Sequence, residues 1–366
     1  MKSFMNNSDN QIYKSKNEAL EFLRFVSLTE VFLIHYMNDF ILSEEGLSIP
    51  MVSGKLGVAF FFMISAYLLV VTYRPEKPFL KNKAFQLLPK YEIILLFVFI
   101  ASQVRPHLFH TFDISTVNFL KSAFLVPYRT EGVPFVCPML PVAWTLIIQA
   151  FVFILFWAIV KISKNQYITA GILSIVFVAL AIIGEFEGNE LLISFAYCRF
   201  YMLYFIIGFC VAIMEHRIKK NKLKLPEVLI SKWSGDCNIC ICIIIAIAFQ
   251  LLSCVFDDKL FFIPVLFIMF YLAIFKASKL RFPKFILFMG KISYSFFLLH
   301  YLIVKVFTRV FPSTREPVMI IIMVIACYGL ITAMSWIYDE IINKGIILIK
   351  RGKDGSGYNS NYSDKK

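Results

Sequence analysis

Arg24, Glu30 and His35 stand inside one apolar run of this chain, 20–42, and their types set out what chemistry that run could carry. A neutral histidine in a cleft is suited to take a proton from a hydroxyl as that hydroxyl attacks a carbonyl. An arginine at a membrane surface is suited to hold phosphates, because its planar fork binds them in bidentate fashion. Residues eleven apart on a helix differ by about 20° in azimuth and about 16 Å in height, so Arg24 and His35 share one face at two depths. Together they fit a donor with a phosphate head in the cytoplasm and a reactive end near His35, the two joined by a long, thin arm.

Each of these groups is costly where it stands. A charge in mid-span costs roughly 2.5–3.5 kcal/mol on insertion scales, against about 0.3–0.6 returned by each Leu, Ile, Phe or Val. The helix inserts, but Arg24, Glu30 and His35 must face protein or a wet cavity. Glu30 lies on a different face from His35; it is read either as a bridge to a basic residue on another helix or as an orienting group. Asp39, one turn after His35, either orients the imidazole or caps the outer end of the helix.

The elements that would position these residues follow from composition. Of 366 residues, 59% are hydrophobic and 17% charged, and mean hydropathy is +0.73; a soluble domain carries about a quarter charged. An integral membrane protein is expected, all-α, with the apolar content spread over its whole length. Apolar runs of spanning length lie near 20–42, 52–73, 85–104, 141–160, 167–184, 191–215, 238–256, 260–276, 285–308 and 317–342. About ten transmembrane helices are therefore predicted. Basic loops follow the even-numbered runs, with Arg74, Lys77, Lys81 and Lys83 in the first of them, while Glu44, Glu45, Glu185, Glu187, Asp257 and Asp258 mark the opposite side. By the positive-inside rule both termini are cytoplasmic.

Three segments result: a cytoplasmic stretch 1–19, a membrane domain 20–345 and a tail 346–366, rich in Gly, Ser, Asn and Lys beyond Gly352 and read as disordered. The outer loop 105–140 is the longest, and 119–126 is expected to form a short helix lying on the membrane, a natural lid over an external cavity. The net charge of +13 sits in short loops where insertion needs it, so no nucleic-acid partner is expected. The eight cysteines lie mostly in apolar runs and read as reduced thiols; a metal site or palmitoylation around Cys237, Cys240 and Cys242 is the weaker reading, and no metal is expected.

Counting rise from the loop ends puts His35 and His300 in one layer, about 22 Å from the cytoplasmic side, with Gln149 and Arg199 roughly 12 Å below the outer face. Arg24 and Lys83 lie at the other surface. Singly, His300 reads equally as a core imidazole and Gln149 as interhelical glue. A layer of four such groups from four helices argues for a site.

At these residues the chain resembles the acyltransferase-3 family of bacterial integral-membrane acyltransferases. Arg24, ten residues and His35 reproduce the family's first-helix signature. GVAFFFMISAYLL (57–69) resembles the second-helix pattern, keeping Ser65 but with Ala66 for glycine. AWTLIIQAF (143–151) matches a Trp-led segment, RFYMLYFIIG (199–208) an arginine-to-glycine helix, and GKISYSFFLLH (290–300) a late segment containing Tyr294 and His300. Two departures stand out. The family's second cytoplasmic arginine is replaced by Gln86 after Lys83, which would shift donor contacts to Lys81 or Lys90, and Gln149 stands where many members carry glutamate.

The resemblance implies acyl transfer, most simply of acetyl from cytoplasmic acetyl-CoA as donor substrate, with no bound cofactor. The acceptor would be a hydroxyl of a surface polysaccharide or of a lipid-linked oligosaccharide precursor, at the outer face of a bacterial inner membrane. In that reading His35 is the general base and Arg24, Lys83 and Lys81 hold the donor. Arg199, Trp144, His300, Ser65, Gln149 and Tyr294 line the acceptor end. The rival from another class is a multispanning transporter or flippase of a glycolipid or polysaccharide precursor, since intramembrane Arg, Glu and His also mark transport pathways. It would be favoured by broken helices in matching positions of two halves, and the sequence displays none.

Overall fold

The computed structural model describes residues 7–40, 54–104, 115–130, 136–187, 191–220, 270, 282–311 and 316–356. Among them the chain is helical, with no strand: α1 (Asn7–Phe40), α2 (Gly54–Val71), α3 (Phe79–Val104), α4 (Thr116–Ala123), α5 (Trp144–Ser163), α6 (Gln166–Glu187), α7 (Leu192–Tyr197), α8 (Met202–Lys219), α9 (Lys284–Lys291), α10 (Ser293–Val310) and α11 (Pro317–Ser356).

The burial pattern is that of a protein solvated by lipid. Aromatic side chains such as Phe60, Phe62, Phe156 and Phe205 are fully enclosed, yet large apolar residues also cover the outside: Phe97 on α3, Ile175 on α6 and Ile325 on α11 are each about two-thirds exposed or more. Water would not tolerate so continuous an apolar exterior. Among the described residues four segments are long and apolar enough to cross a bilayer alone, Phe79–Val104, Pro141–Ser163, Gln166–Phe186 and Val318–Gly345, and α9 with α10 makes a fifth if the bent pair is one span. The protein is thus a multi-pass helical membrane protein, and these account for four or five of the ten predicted crossings. The runs 238–256 and 260–276 lie outside the described residues except for Phe270, and the positions of the termini are untouched by these facts. Helix α2 is apolar over only Leu56–Val71, and α1 carries Glu21, Arg24 and Glu30 within its run.

Two predicted spans are broken. The run 285–308 folds as α9 and α10, which meet at 76°. Lys284 and Lys291, at the two ends of α9, are both exposed, as suits an eight-residue helix lying along a surface, while the 18 residues of α10 rise about 27 Å by themselves. The run 191–215 divides into α7 and α8. The break falls at 198–201, where the Cys198 carbonyl is pressed onto α6: a side chain at Gly184 would begin only 1.8 Å from that oxygen.

The ends also differ from the expected division. Helix α1 starts at Asn7, inside the segment 1–19, and α11 continues to Ser356, through half of the tail read as disordered. The expected short helix of the outer loop is present as α4, three residues earlier than predicted. Ser115 caps it by accepting a hydrogen bond from the Asn118 N–H at 3.1 Å, and it is anchored to α3 by Tyr91, which donates to the Ser122 carbonyl, and by the Phe99–Phe119 stack.

Helix α2 runs through the largest apolar cluster, with α5, α6 and α8 around it. A second cluster joins α1, α10 and α11 through Phe32, Phe296 and Ile331. Ala66, where the resembling pattern has glycine, is fully buried against Gly208 on α8, whose missing side chain supplies the room.

Candidate functional site

Helices α1 and α10 bring two histidines together. The rings of His35 and His300 are 5.2 Å apart between centroids and tilted by 49°, and Tyr301 stands edge-on to His35 at 5.3 Å. His300 is 1% exposed, flanked by Phe296 and Phe297. Its Nδ1 lies 2.7 Å from the Phe297 carbonyl oxygen, and its Nε2 is buried with no hydrogen-bond partner. His35 is half-buried. The layer expected from counting residues therefore exists for these two side chains.

Eleven residues before His35, midway along α1, cations gather. Arg24 is half-buried, and its Nη1 donates to Glu21 Oε1 at 2.8 Å. Lys83, from the first turns of α3, lies close enough for its charge to repel that of Arg24, and its ammonium sits 5.4 Å from the centre of the Phe153 ring. Two positive side chains from two helices, with an aromatic face beside one of them, are of the types suited to phosphate and a flat base. Lys81 is exposed beside Phe85. Lys90 is engaged elsewhere: its Nζ bonds Asp339 Oδ1 at 2.5 Å, both side chains largely enclosed, and Ser295 donates to the same oxygen. The expectation that Lys90 could take over donor contacts gives way to a structural ion pair between α3 and α11.

Glu30 does not meet a basic partner among the described residues. It turns to α2, where a side chain at Gly57 would touch its Oε2 at 3.1 Å, and neither carboxyl oxygen makes a well-formed hydrogen bond. The side chain of Asp39 falls outside the described residues.

Arg199 stands in the break between α7 and α8. Its Nε donates to the Phe195 carbonyl at 3.1 Å and its guanidinium lies over the Phe195 ring at 5.4 Å; Arg129 of the outer loop approaches the same ring at 5.0 Å. Trp144, at the start of α5, packs on Tyr201 at 5.3 Å and on Phe62, so Trp144, Tyr201 and Arg199 share one neighbourhood. Gln149 and Ser65 are half-buried on α5 and α2. Tyr294 is held by its hydroxyl, which donates to the Leu87 carbonyl at 2.9 Å, a structural engagement that ties α10 to α3.

Sequence reasoning missed Glu21, Arg129 and Asp339. The first was readable from its spacing of three from Arg24, the last from being an acid at the end of an apolar run. A cavity of about 590 Å³ between α1, α9 and α11, lined by Phe25, Phe32, Leu33, Tyr328 and Trp336, touches none of the cations and neither histidine.

A pair of neighbouring histidines, one of them fully buried, and a pair of cations, Arg24 eleven residues back along the same helix with Lys83 near it, are thus set in a multi-pass bundle. The model of the acyltransferase-3 family, an acyltransferase domain, matches residues 17–339, nearly the whole chain. The chain belongs to that family of membrane acyltransferases. Comparison with curated proteins finds no match, and neither does comparison with solved structures.

Proposed function

We propose that the protein is an O-acyltransferase that moves an acetyl group from cytoplasmic acetyl-CoA to a hydroxyl of a surface polysaccharide or its lipid-linked precursor, in a bacterial inner membrane. The observation that carries this reading is the disposition along α1, with Arg24 midway along it and within electrostatic reach of Lys83 and His35 beside His300 eleven residues on. That spacing spans about 16 Å, a length matched by the pantetheine arm between the phosphates and the thioester of a CoA.

In the reaction, Arg24 and Lys83 hold the donor phosphates, with Lys81 close by on the same turn. The acceptor hydroxyl gives its proton to His35 as its oxygen bonds to the acyl carbon; the C–S bond then breaks and the CoA thiolate recovers the proton. Trp144, Arg199, Gln149 and Ser65 line the acceptor end, the aromatic face packing against a sugar ring. Asp39 is the candidate to orient His35; Glu30, turned to α2, is assigned a packing role.

Proton NMR of base-labile O-acyl esters on the surface polysaccharide, in cells making the native protein or His35→Ala at equal membrane levels, tests the reading. Loss of one ester signal in the variant is expected and would name both acyl group and sugar position. Full retention of every ester would remove His35 from the chemistry.

A further inference from the structure

His300 Nδ1 can approach a carbonyl oxygen to 2.7 Å only by donating to it, because the carbonyl has no hydrogen to give. In the neutral ring the proton is thereby fixed on Nδ1 and Nε2 is left as a bare lone pair. That lone pair is buried and satisfied by nothing, and His300 is 1% exposed. Leaving a buried acceptor unmet is costly, and in a native protein such a group calls for an explanation, a catalytic role among them.

The nearest ring able to supply a donor is that of His35. An N–H···N hydrogen bond of about 2.9 Å between two imidazoles sets their centroids about 5 Å apart; the observed separation is 5.2 Å. At rest the bond is not made. Once His35 has taken the hydroxyl proton, both of its nitrogens carry hydrogen, and the neighbouring ring holds a nitrogen that can only accept.

We propose that His300 is a positioning residue whose bare Nε2 accepts a hydrogen bond from the imidazolium that His35 becomes during transfer, holding that charge in a buried, aromatic-walled site. This rests on His35 acting as the base in the reaction proposed above. The bond O–H breaks and N–H forms on His35; His300 neither gains nor loses a proton, its Nδ1–H remaining on the Phe297 carbonyl. Tyr301 stands edge-on to the ring of His35, and its phenol cannot replace Nε2 as an acceptor of comparable basicity. The same role explains a geometry that packing alone would not require: a histidine, rather than a phenylalanine, between Phe296 and Phe297.

The test uses the full-length protein in nanodiscs with ring-¹⁵N histidine, whose five histidines are assigned with His35→Ala and His300→Gln. The expected spectrum has the His300 proton on Nδ1. On acidification the Nε2 signal of His300 should move as His35 gains its second proton, and should stay fixed in His35→Ala. A proton resident on Nε2, or an Nε2 signal indifferent to His35, overturns the proposal. In transfer assays His300→Phe should lower kcat on the order of 10- to 100-fold with KM values unchanged, as for loss of a charge-assisted hydrogen bond. His300→Gln, which keeps an acceptor at that place, should recover most of the rate. A raised acceptor KM with unchanged kcat would assign Nε2 to the acceptor sugar instead and overturn the pairing. If the native protein transfers no acyl group, the proposed function fails while the nitrogen signals still decide the pairing.

Discussion

Gly290 of α9 lies directly on the backbone of Glu21 of α1: a side chain there would begin 2.3 Å from the Glu21 carbonyl oxygen and 2.6 Å from its Cβ. The obstacle is backbone, which cannot swing aside as a side chain end can. The contact sits at the elbow between α9 and α10 and one turn from Arg24, whose guanidinium Glu21 holds. A late glycine thus sets the position of the arginine at the cationic end of the site.

Gly290→Ala should therefore push α9 off α1. Overpacking of this kind costs roughly 1–3 kcal/mol, so the thermal midpoint of the purified protein should fall, and CoA binding should weaken with it because Glu21 and Arg24 shift together. Thermal unfolding with and without CoA measures both. An unchanged midpoint would mean that the two helices are free to part by the needed distance.

The two cations predict a division of kinetic effects. Arg24→Lys and Lys83→Gln should each raise the KM for acetyl-CoA by about 10- to 100-fold, the scale of one charge-assisted hydrogen bond, and leave kcat within a few-fold. Arg24→Lys is no mild change, since an ammonium cannot reproduce the fork. Binding of CoA by titration calorimetry at two salt concentrations checks the assignment, because contacts to phosphate weaken as salt screens them. Equal binding of CoA and of a dephosphorylated pantetheine thioester would remove both residues from phosphate recognition.

What the sequence made legible depended on whether a property is local. The shared face of Arg24 and His35 follows from helical spacing alone, and the common depth of His35 and His300 from residue counts; the 5.2 Å between the two histidine rings agrees with the second. The bends at Ile292 and 198–201 were hidden because apolar content runs through them unbroken: hydropathy records what a segment is dissolved in, not its direction. Their causes are contacts across the fold, Gly290 on Glu21 and Gly184 on Cys198. The engagement of Lys90 was hidden for the same reason. Its partner Asp339 is 249 positions away, a distance over which spacing says nothing.

That pair gives a third prediction. Lys90 and Asp339 are 13% and 16% exposed, and Tyr338 and Ser295 add hydrogen bonds beside them. Removing one partner of an enclosed pair strands the other charge, at about 3–5 kcal/mol. Lys90→Met should lower the unfolding midpoint sharply, as should Asp339→Leu, while the double variant should recover most of the loss because no charge is left unmatched. A double variant as damaged as the sum of the singles would show that the two act independently.

The loop before α5, expected outside, offers the last prediction, which reads chemistry and sidedness together. Cys137 precedes α5; its thiol faces the Pro138 carbonyl at 3.9 Å, its own carbonyl accepts from Thr130, and burial pushes the thiol pKa up to about 11. Only the thiolate reacts with alkylating reagents, so its fraction near neutral pH is roughly a hundredth of that of an ordinary cysteine. A variant keeping Cys137 and replacing the other seven of the eight cysteines should label slowly with a membrane-impermeant maleimide added to intact cells. Its rate should rise about tenfold per pH unit without levelling below pH 10. A fast rate that levels near pH 9 would mean that the thiol is open to water. Labelling only after the membrane is breached would put this loop on the inside and reverse the orientation in which both termini are cytoplasmic.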